Sequence, residues 1–593
     1  METCTNLVLS FYQALKRDLA ELNLDVQWDL TVLDGYLNDG DDSQRDTLIA
    51  LCKFGKSIES ALIADVKLDV PDHPLFNKGS GDSELPLFLR SLLEPLFHAS
   101  GYRRHCEACV HEVNSYYVLA LRQITLAFSK LVDLEPVVDE AVEIQAFVDR
   151  VCADHYSNVI LHRRNSTELM NDVRSLLSDV FTTTVEKELE LAAPLAQWVE
   201  NPWGQHGPGA VADKSFGSQK WHFRPSKREP LGLYELYKLE EAYVEHHFWS
   251  CPDKPIPARM CIVPKDFRGH RIICIEPKEL MFAQQGLMHT IYAMVHSHPL
   301  TKWSINFDDQ VRSQKKCRGD RFATIDLKDA SDRISLSLAR VLLPKKAFAV
   351  LTRYRSSVIA LPDGRTIQPK ALFTMGNALC FPAQTLIFWA IAMAACRQDA
   401  NDSGEFVSQT WLAKNIRVFG DDIIVPKKYA RAVLAALSGC GLQPNYQKTC
   451  IDTPVRESCG AWWFGGRDVR ITRFRYHKLV DYYTWTSWAD NARELHSNGF
   501  THTALHVCTL MTKVSFVPFG YLGFPGQREL KNENIRYNEE LQRCEVRLPV
   551  LRDGNRLVAL TDWRGLYAWF VRSATKVASR HVAHSVEWEW TGL

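Results

Sequence analysis

Two adjacent acids, Asp421 and Asp422, follow Gly420 between the apolar runs 416–419 and 423–425. The runs predict two short strands, and Gly420 supplies the permissive backbone that a tight hairpin turn requires. Neighbouring carboxylates repel each other, so a pair presented at a hairpin tip implies divalent cations that neutralise it. An ordinary Asx-rich turn has the same local sequence, so acids elsewhere must decide. About 95 residues upstream, Asp326 ends a second apolar run, Phe322-Ala323-Thr324-Ile325. Two-metal phosphoryl or nucleotidyl transfer takes carboxylates from different strands, because its ions stand roughly 3.5 to 4 Å apart and bridge attacking and leaving oxygens. Asp326, Asp421 and Asp422 supply such a set.

The order of motifs around these acids resembles that of viral RNA-dependent RNA polymerases, and within them the replicase catalytic (beta) subunits of the single-stranded RNA bacteriophages, the leviviruses. Asp326 to Asp332, then Met375-Gly376-Asn377 ahead of a helical run, then Phe419-Gly420-Asp421-Asp422, are similar to the first three palm motifs. Lys448 in Asn445-Tyr446-Gln447-Lys448-Thr449 and Arg456-Glu457-Ser458-Cys459-Gly460 resemble the next two. His206-Gly207-Pro208-Gly209-Ala210, Val263-Pro264-Lys265 and Arg271-Ile272-Ile273-Cys274-Ile275-Glu276-Pro277 resemble the phage group in particular. The resemblance spans about residues 200–465, and its visible departure is Phe419, where the phage family has Tyr.

The resemblance implies an α+β right-hand polymerase with fingers, palm and thumb, its palm built on an antiparallel sheet. It makes Asp326, Asp421 and Asp422 ligands of two Mg²⁺ ions, for which Mn²⁺ substitutes. A nucleoside triphosphate also needs fixed cations. Between residues 251 and 278 stand Lys254, Arg259, Lys265, Arg268, Arg271 and Lys278, opposed by Asp253, Asp266 and Glu276. By resemblance Lys265 and Arg271 meet the triphosphate, with Arg268 and Arg259 placed less firmly, and Lys448 donates a proton to the leaving pyrophosphate. Selecting ribose requires a hydrogen bond to its 2′-hydroxyl, for which Asp332 and Asn377 are the candidates, and by resemblance Gly376 beside Asn377 joins the nucleotide-binding set; Asn377 also suits a helix cap. The first palm motif resembles that of reverse transcriptases too. Those enzymes follow it with a bulky aromatic, whereas small Ser331 and then Asp332 stand here, which favours an RNA product.

The elements that must position these groups are legible more coarsely. Length predicts three or four subdomains, and a hydrophobic fraction of 46% is ample for real cores. Net charge is zero, with 70 basic and 70 acidic residues, so bulk charge does not announce a nucleic-acid binder. Residues 1–100, however, hold 17 acids against 8 bases, which leaves the remainder basic. Helical periodicity over 85–97, 113–131 and 137–151, with Pro86 and Pro95 marking breaks within the first, predicts a helix-rich region 1–200 that includes part of the fingers. Fingers are expected over 201–320, the palm over 321–480, and the thumb with the C-terminal region over 481–593.

The 16 cysteines follow no disulfide framework, which points to a reducing cytoplasm. Cys106 and Cys109, between His105 and His111, lack a second pair at zinc-finger spacing and read as helix cysteines. No secretory signal is read at Met1, and the apolar run 386–396 is too short to span a bilayer and reads as a buried helix. RNA-directed RNA synthesis from nucleoside triphosphates, replicating a viral genome, is the expected function. Reverse transcription and a catalytically silent RNA-binding subunit are the rivals. The resemblance further implies work in the cytoplasm of an infected bacterium, primer-independent initiation, and host elongation factors Tu and Ts with an RNA-binding ribosomal protein as partners.

Overall fold

The computed structural model describes residues 7–79, 82–104, 112–132, 134, 139–160, 167–181, 206–207, 209–221, 257–480, 482–512, 535–552 and 585–592. Helix and sheet are mixed, in two compact units. One comprises Met1–Val137, Pro264–Gly269 and Val469–Leu593, the other Val138–Val263 and His270–Asp468.

In the first unit, helices Leu7–Glu21, Asp41–Ala64 and Glu112–Leu126 carry apolar residues three and four apart. Phe11, Tyr12, Phe128 and Phe474 interlock with ring centroids 5.1 to 5.9 Å apart, so early and late chain segments share one core. Beside it Arg122 is buried against Glu59 at 2.9 Å, and Lys56 meets the same carboxylate at 2.6 Å. Burial alone would raise the Glu59 carboxyl, but Lys56, Arg122 and Arg473 outweigh it and hold the group at about 2. Asp18 caps helix Thr501–Thr512 by accepting from the N–H groups of His502 (2.7 Å) and Thr503 (2.8 Å). A three-stranded antiparallel sheet joins Ile535–Asn538, Arg543–Arg552 and Ser585–Gly592.

Of the three helices expected from periodicity, two form, at Glu112–Leu126 and Glu140–Cys152. The third shrinks to Arg90–Leu93, because prolines stand on either side and Leu89 enters the left-handed region at φ 59°. The Cys106 and Cys109 pair lies outside the described residues.

The second unit is organised by a sheet and one helix. Strands β1 (Ala258–Asp266) and β2 (Gly269–Ile275) form a hairpin whose tip, Pro264–Gly269, groups with the first unit. Next come β3 (Phe322–Ile325), β4 (Arg417–Phe419), β5 (Asp422–Pro426), β6 (Val455–Ser458) and β7 (Ala461–Phe464). β3, β5 and β4 make an antiparallel sheet in that order, with Ile325 opposite Ile423 and Phe419 opposite Asp422. Side chains alternate across it. Ala323, Ile325, Val418, Ile423 and Val425 enter the main core, while Phe322 and Ile424 pack with Cys317 and Trp463 on the other face.

Under the first face runs helix Cys380–Asp402, in which every residue from 382 to 396 is buried. The apolar run that reads as too short for a bilayer is thus part of a helix long enough to cross one, yet 89% of its most apolar window is buried within the protein. It packs against Thr167–Phe181 and Ala430–Gly439. Apolar on all sides, it serves as the floor on which the sheet rests.

Candidate active site

Continuing the β3–β5 register one residue past the Ile325–Ile423 pair sets Asp326 opposite Asp422 on one sheet face. Gly420 and Asp421 are left as the two-residue tip between β4 and β5. Gly420 has φ 66° and donates its N–H to Thr385 Oγ1 of the central helix at 3.0 Å. A Cβ there would lie 2.7 Å from the Phe381 ring, so glycine is demanded by both conformation and space. Phe419 packs edge-on against the same ring, with centroids 5.0 Å apart, which is an apolar contact that needs no hydroxyl.

Two of the acids are held by donors behind them. Asn445 Nδ2 donates to Asp326 Oδ2 at 2.8 Å, and Lys448 Nζ stands 3.5 Å from the same oxygen. Asp422 Oδ2 accepts the N–H of Cys459 at 3.1 Å. Cys459 (φ 51°) and Gly460 (φ 77°) form the two-residue turn between β6 and β7, and its left-handed geometry aims that N–H at the acid. Burial raises the Asp326 carboxyl, with Lys448 opposing and Asp421 adding to the rise. Burial, then Asp421, Glu457 and Asp326, push Asp422 up to about 7.

Three mutually repelling carboxylates offering hard oxygens suit divalent Mg²⁺ or Mn²⁺. They do not converge on a single point. Among the described residues, the one set whose ligand atoms all lie within 4.8 Å of each other is Asp18, Glu21 and His502 in the first unit. There Asp18 is occupied as a helix cap and His502 Nε2 meets Glu21 at 2.7 Å, so the contacts explain the grouping.

Asp332 and Asn377 lie in a neighbouring buried cluster, and Cys380 feels the charge of both Asp332 and Asp421. Arg150 Nε stands 3.4 Å from Asp332 Oδ2 and 3.5 Å from Asp329 Oδ1. Burial raises Asp332 to about 6 against the pull of Arg150. Asn377 is engaged at both ends: Nδ2 donates to Glu276 Oε1 at 2.8 Å, and Oδ1 accepts the Leu379 N–H at 2.8 Å. Gly376 has φ 108°, and a Cβ there would lie 2.3 Å from the Cys274 carbonyl oxygen.

Arg150 has no local sequence signal, because it meets Asp332 across 182 residues of chain. Glu276 belongs to the motif at residues 271–277, but its hydrogen bonds with Asn377 and Ser356 are visible only in space.

The basic residues divide. Arg271 is exposed on β2 and makes no ion pair among the described residues. Lys265 and Arg268 fall in the hairpin tip of the first unit, where Arg268 is paired in two-pronged fashion with Asp266 at 2.7 and 3.1 Å. Arg259 donates to the Ala212 carbonyl at 3.1 Å, and Lys278 pairs with Asp213 at 3.1 Å. Lys254 lies outside the described residues.

Residues 254–478 match the family described as RNA replicase, beta-chain. The RNA-directed RNA polymerase subunit beta of Qbeta virus (strain MX1) is 37% identical over 222 residues, 37% of this chain and 35% of that protein. The RNA-directed RNA polymerase beta chain of Escherichia phage MS2 is 36% identical over 219 residues, 37% of each chain. The match thus spans about a third of the length of these relatives. A solved structure described as an RdRp complex aligns over 87% of this chain and 48% of its own, with TM-score 0.47 and 10% identity. Residues 254–478, which hold the acid site, are thus similar to the RNA replicase beta-chain family and to the corresponding third of these two polymerase chains.

Proposed function

We propose that the chain is an RNA-directed RNA polymerase that copies an RNA template from nucleoside triphosphates. The observation that carries this reading is the set of three acids at the adjoining ends of β3 and β5, Asp326, Asp421 and Asp422, with Lys448 beside Asp326. Asp326 and Asp421 would hold two Mg²⁺ ions, with Asp422 contributing more loosely. When bound, these ions would lower the charge repulsion between the nascent 3′-hydroxyl and the α-phosphate and stabilise the leaving oxygens. Asn445 and the Cys459 N–H orient Asp326 and Asp422, and Lys448 supplies a proton near the departing pyrophosphate. Arg271 and Lys265 would meet the triphosphate. Asp332, with Arg150 fixing its carboxylate, would accept from the ribose 2′-hydroxyl.

On this reading residues 321–480 are the palm, 201–320 the fingers and 481–593 the thumb of a right-hand polymerase. The chain would replicate a viral genome in the cytoplasm of an infected bacterium. Host elongation factors Tu and Ts and an RNA-binding ribosomal protein would be its partners. A primer-independent incorporation assay, with RNA and DNA templates and with rNTPs and dNTPs supplied separately in host lysate, tests it. Incorporation of rNTPs on RNA alone is expected, and efficient use of dNTPs would replace this reading by reverse transcription.

A further inference from the structure

At the strand ends farthest from the acids, the second unit carries an unneutralised cluster of cations. Arg321 leads into β3 and Arg417 opens β4, so both lie at the opposite end of their strands from Asp326 and Asp421. Lys316, on helix Val311–Lys316, reaches the Lys414 carbonyl at 3.2 Å and Asn415 Oδ1 at 3.3 Å, which binds this helix to Gln409–Asn415. Lys414 and Lys302 place their ammonium groups 5.0 and 5.6 Å from the centre of one exposed ring, Trp303.

Lys302, Lys315, Lys316, Arg321, Lys414 and Arg417 make no ion pair among the described residues, and Arg312 has only Asp309, at 3.8 Å. Burial together with Arg417 and Arg321 lowers the Lys316 ammonium to about 8. Cations crowded in this way repel each other, and none of them has the kind of matched acid that Lys428 has in Glu405, at 2.6 Å. A second exposed ring, Trp411, lies on the same helix as Lys414.

We infer that this face, formed around Trp303, Lys315, Arg321 and Lys414, is a second RNA-binding surface that grips single-stranded RNA by its phosphates and stacks bases on its exposed rings. Outward-facing cations without carboxylates fit a polyanion. Aromatic rings set among them fit a nucleic-acid strand better than an acidic peptide, since every base offers a face to stack. The inference rests on the reading that the chain handles RNA, and assigns that function a surface away from the acids.

The test measures binding of a fluorescent, unstructured RNA of about 20 nucleotides to the full chain across salt concentrations. Lys315→Ala/Arg321→Ala/Lys414→Ala should weaken binding about tenfold at ~0.15 M salt and flatten the log–log salt slope by about 2, at roughly 0.7 per phosphate contact. Trp303→Ala should weaken binding severalfold and leave the slope unchanged. Lys315→Glu, a single exposed change, repeats the test without risk to the fold. Asp421→Asn should bind as wild type does. An unaltered slope in the triple variant overturns the inference. So does an acidic peptide that competes as well as RNA, which would mark a protein-docking face. Wild-type nucleotide incorporation alongside an unaltered slope would sink this surface alone, whereas a flattened slope in a chain that never incorporates nucleotides would sink only the polymerase reading.

Discussion

At the scale of single residues, the acids differ in what surrounds them. Asp421 is exposed at the hairpin tip, so Asp421→Asn should abolish incorporation, by a factor of about 10³ or more, with the melting temperature unchanged. Wild-type turnover at ordinary Mg²⁺ would remove this turn from the chemistry. Asp332 is the opposite case, buried and raised to about 6. An acid raised on folding contributes stability that is present below its unfolded value and lost as pH rises through its folded one. Asp332→Asn, which cannot ionise, should therefore gain in melting temperature relative to wild type as pH rises from about 4 to 6, with no further gain above that range. Thermal melts at half-unit pH steps check it, and a difference that is flat with pH would mean that Arg150 fully compensates the charge. Asp332→Ala should also narrow the preference for rNTPs over dNTPs by about 1 to 3 kcal/mol. Matched competition on an RNA template measures that.

At the scale of elements, the site depends on a few backbone requirements. Gly420→Ala places a methyl against Phe381 in a left-handed turn, and should cost about 1 to 3 kcal/mol together with most activity. Arg456 is a clamp: its guanidinium donates to the carbonyls of Phe322 (2.6 Å), Val455 (2.6 Å) and Ile451 (3.1 Å), tying β3 to β6 and to the loop after Lys448. Arg456→Met strands those buried acceptors and should destabilise by about 3 kcal/mol or more, seen as a lower denaturation midpoint. An unchanged midpoint would show that water replaces the guanidinium. The acid turn was legible in the sequence because strand, turn and acids are contiguous over 416–425. Both flanking strands form as read. Over 85–97 Pro86 and Pro95 announce the breaks, whereas nothing in the periodicity announces the left-handed Leu89 that starts the helix only at Arg90. The Arg268–Asp266 pairing was equally hidden, since two charges two residues apart on a turn give no sign of whether they face each other. Arg150 could only be found in space.

At the scale of the whole molecule, the first unit is assembled from both ends of the chain, and Glu59 marks how it is held. Its carboxyl is held at about 2, so its contribution is present above the unfolded value near 4.5 and lost as pH falls toward 2. Glu59→Gln should cost about 3 to 5 kcal/mol at pH 7, because Arg122 is left buried beside a neutral amide. The difference from wild type should shrink steadily below pH 4, as intrinsic fluorescence melts would report; a constant difference would mean that packing, not charge, is what the substitution removed. The central helix Cys380–Asp402 has a consequence in time as well as in space. Of the two helices that pack on it most extensively, Thr167–Phe181 leaves the ribosome before it, but Ala430–Gly439 emerges only some thirty residues after its end. During that interval a membrane-length apolar surface is half covered, which makes this the moment of synthesis most open to aggregation and chaperone capture. A chain halted just after residue 415 keeps that surface and lacks both the acid turn and the helix that closes over it.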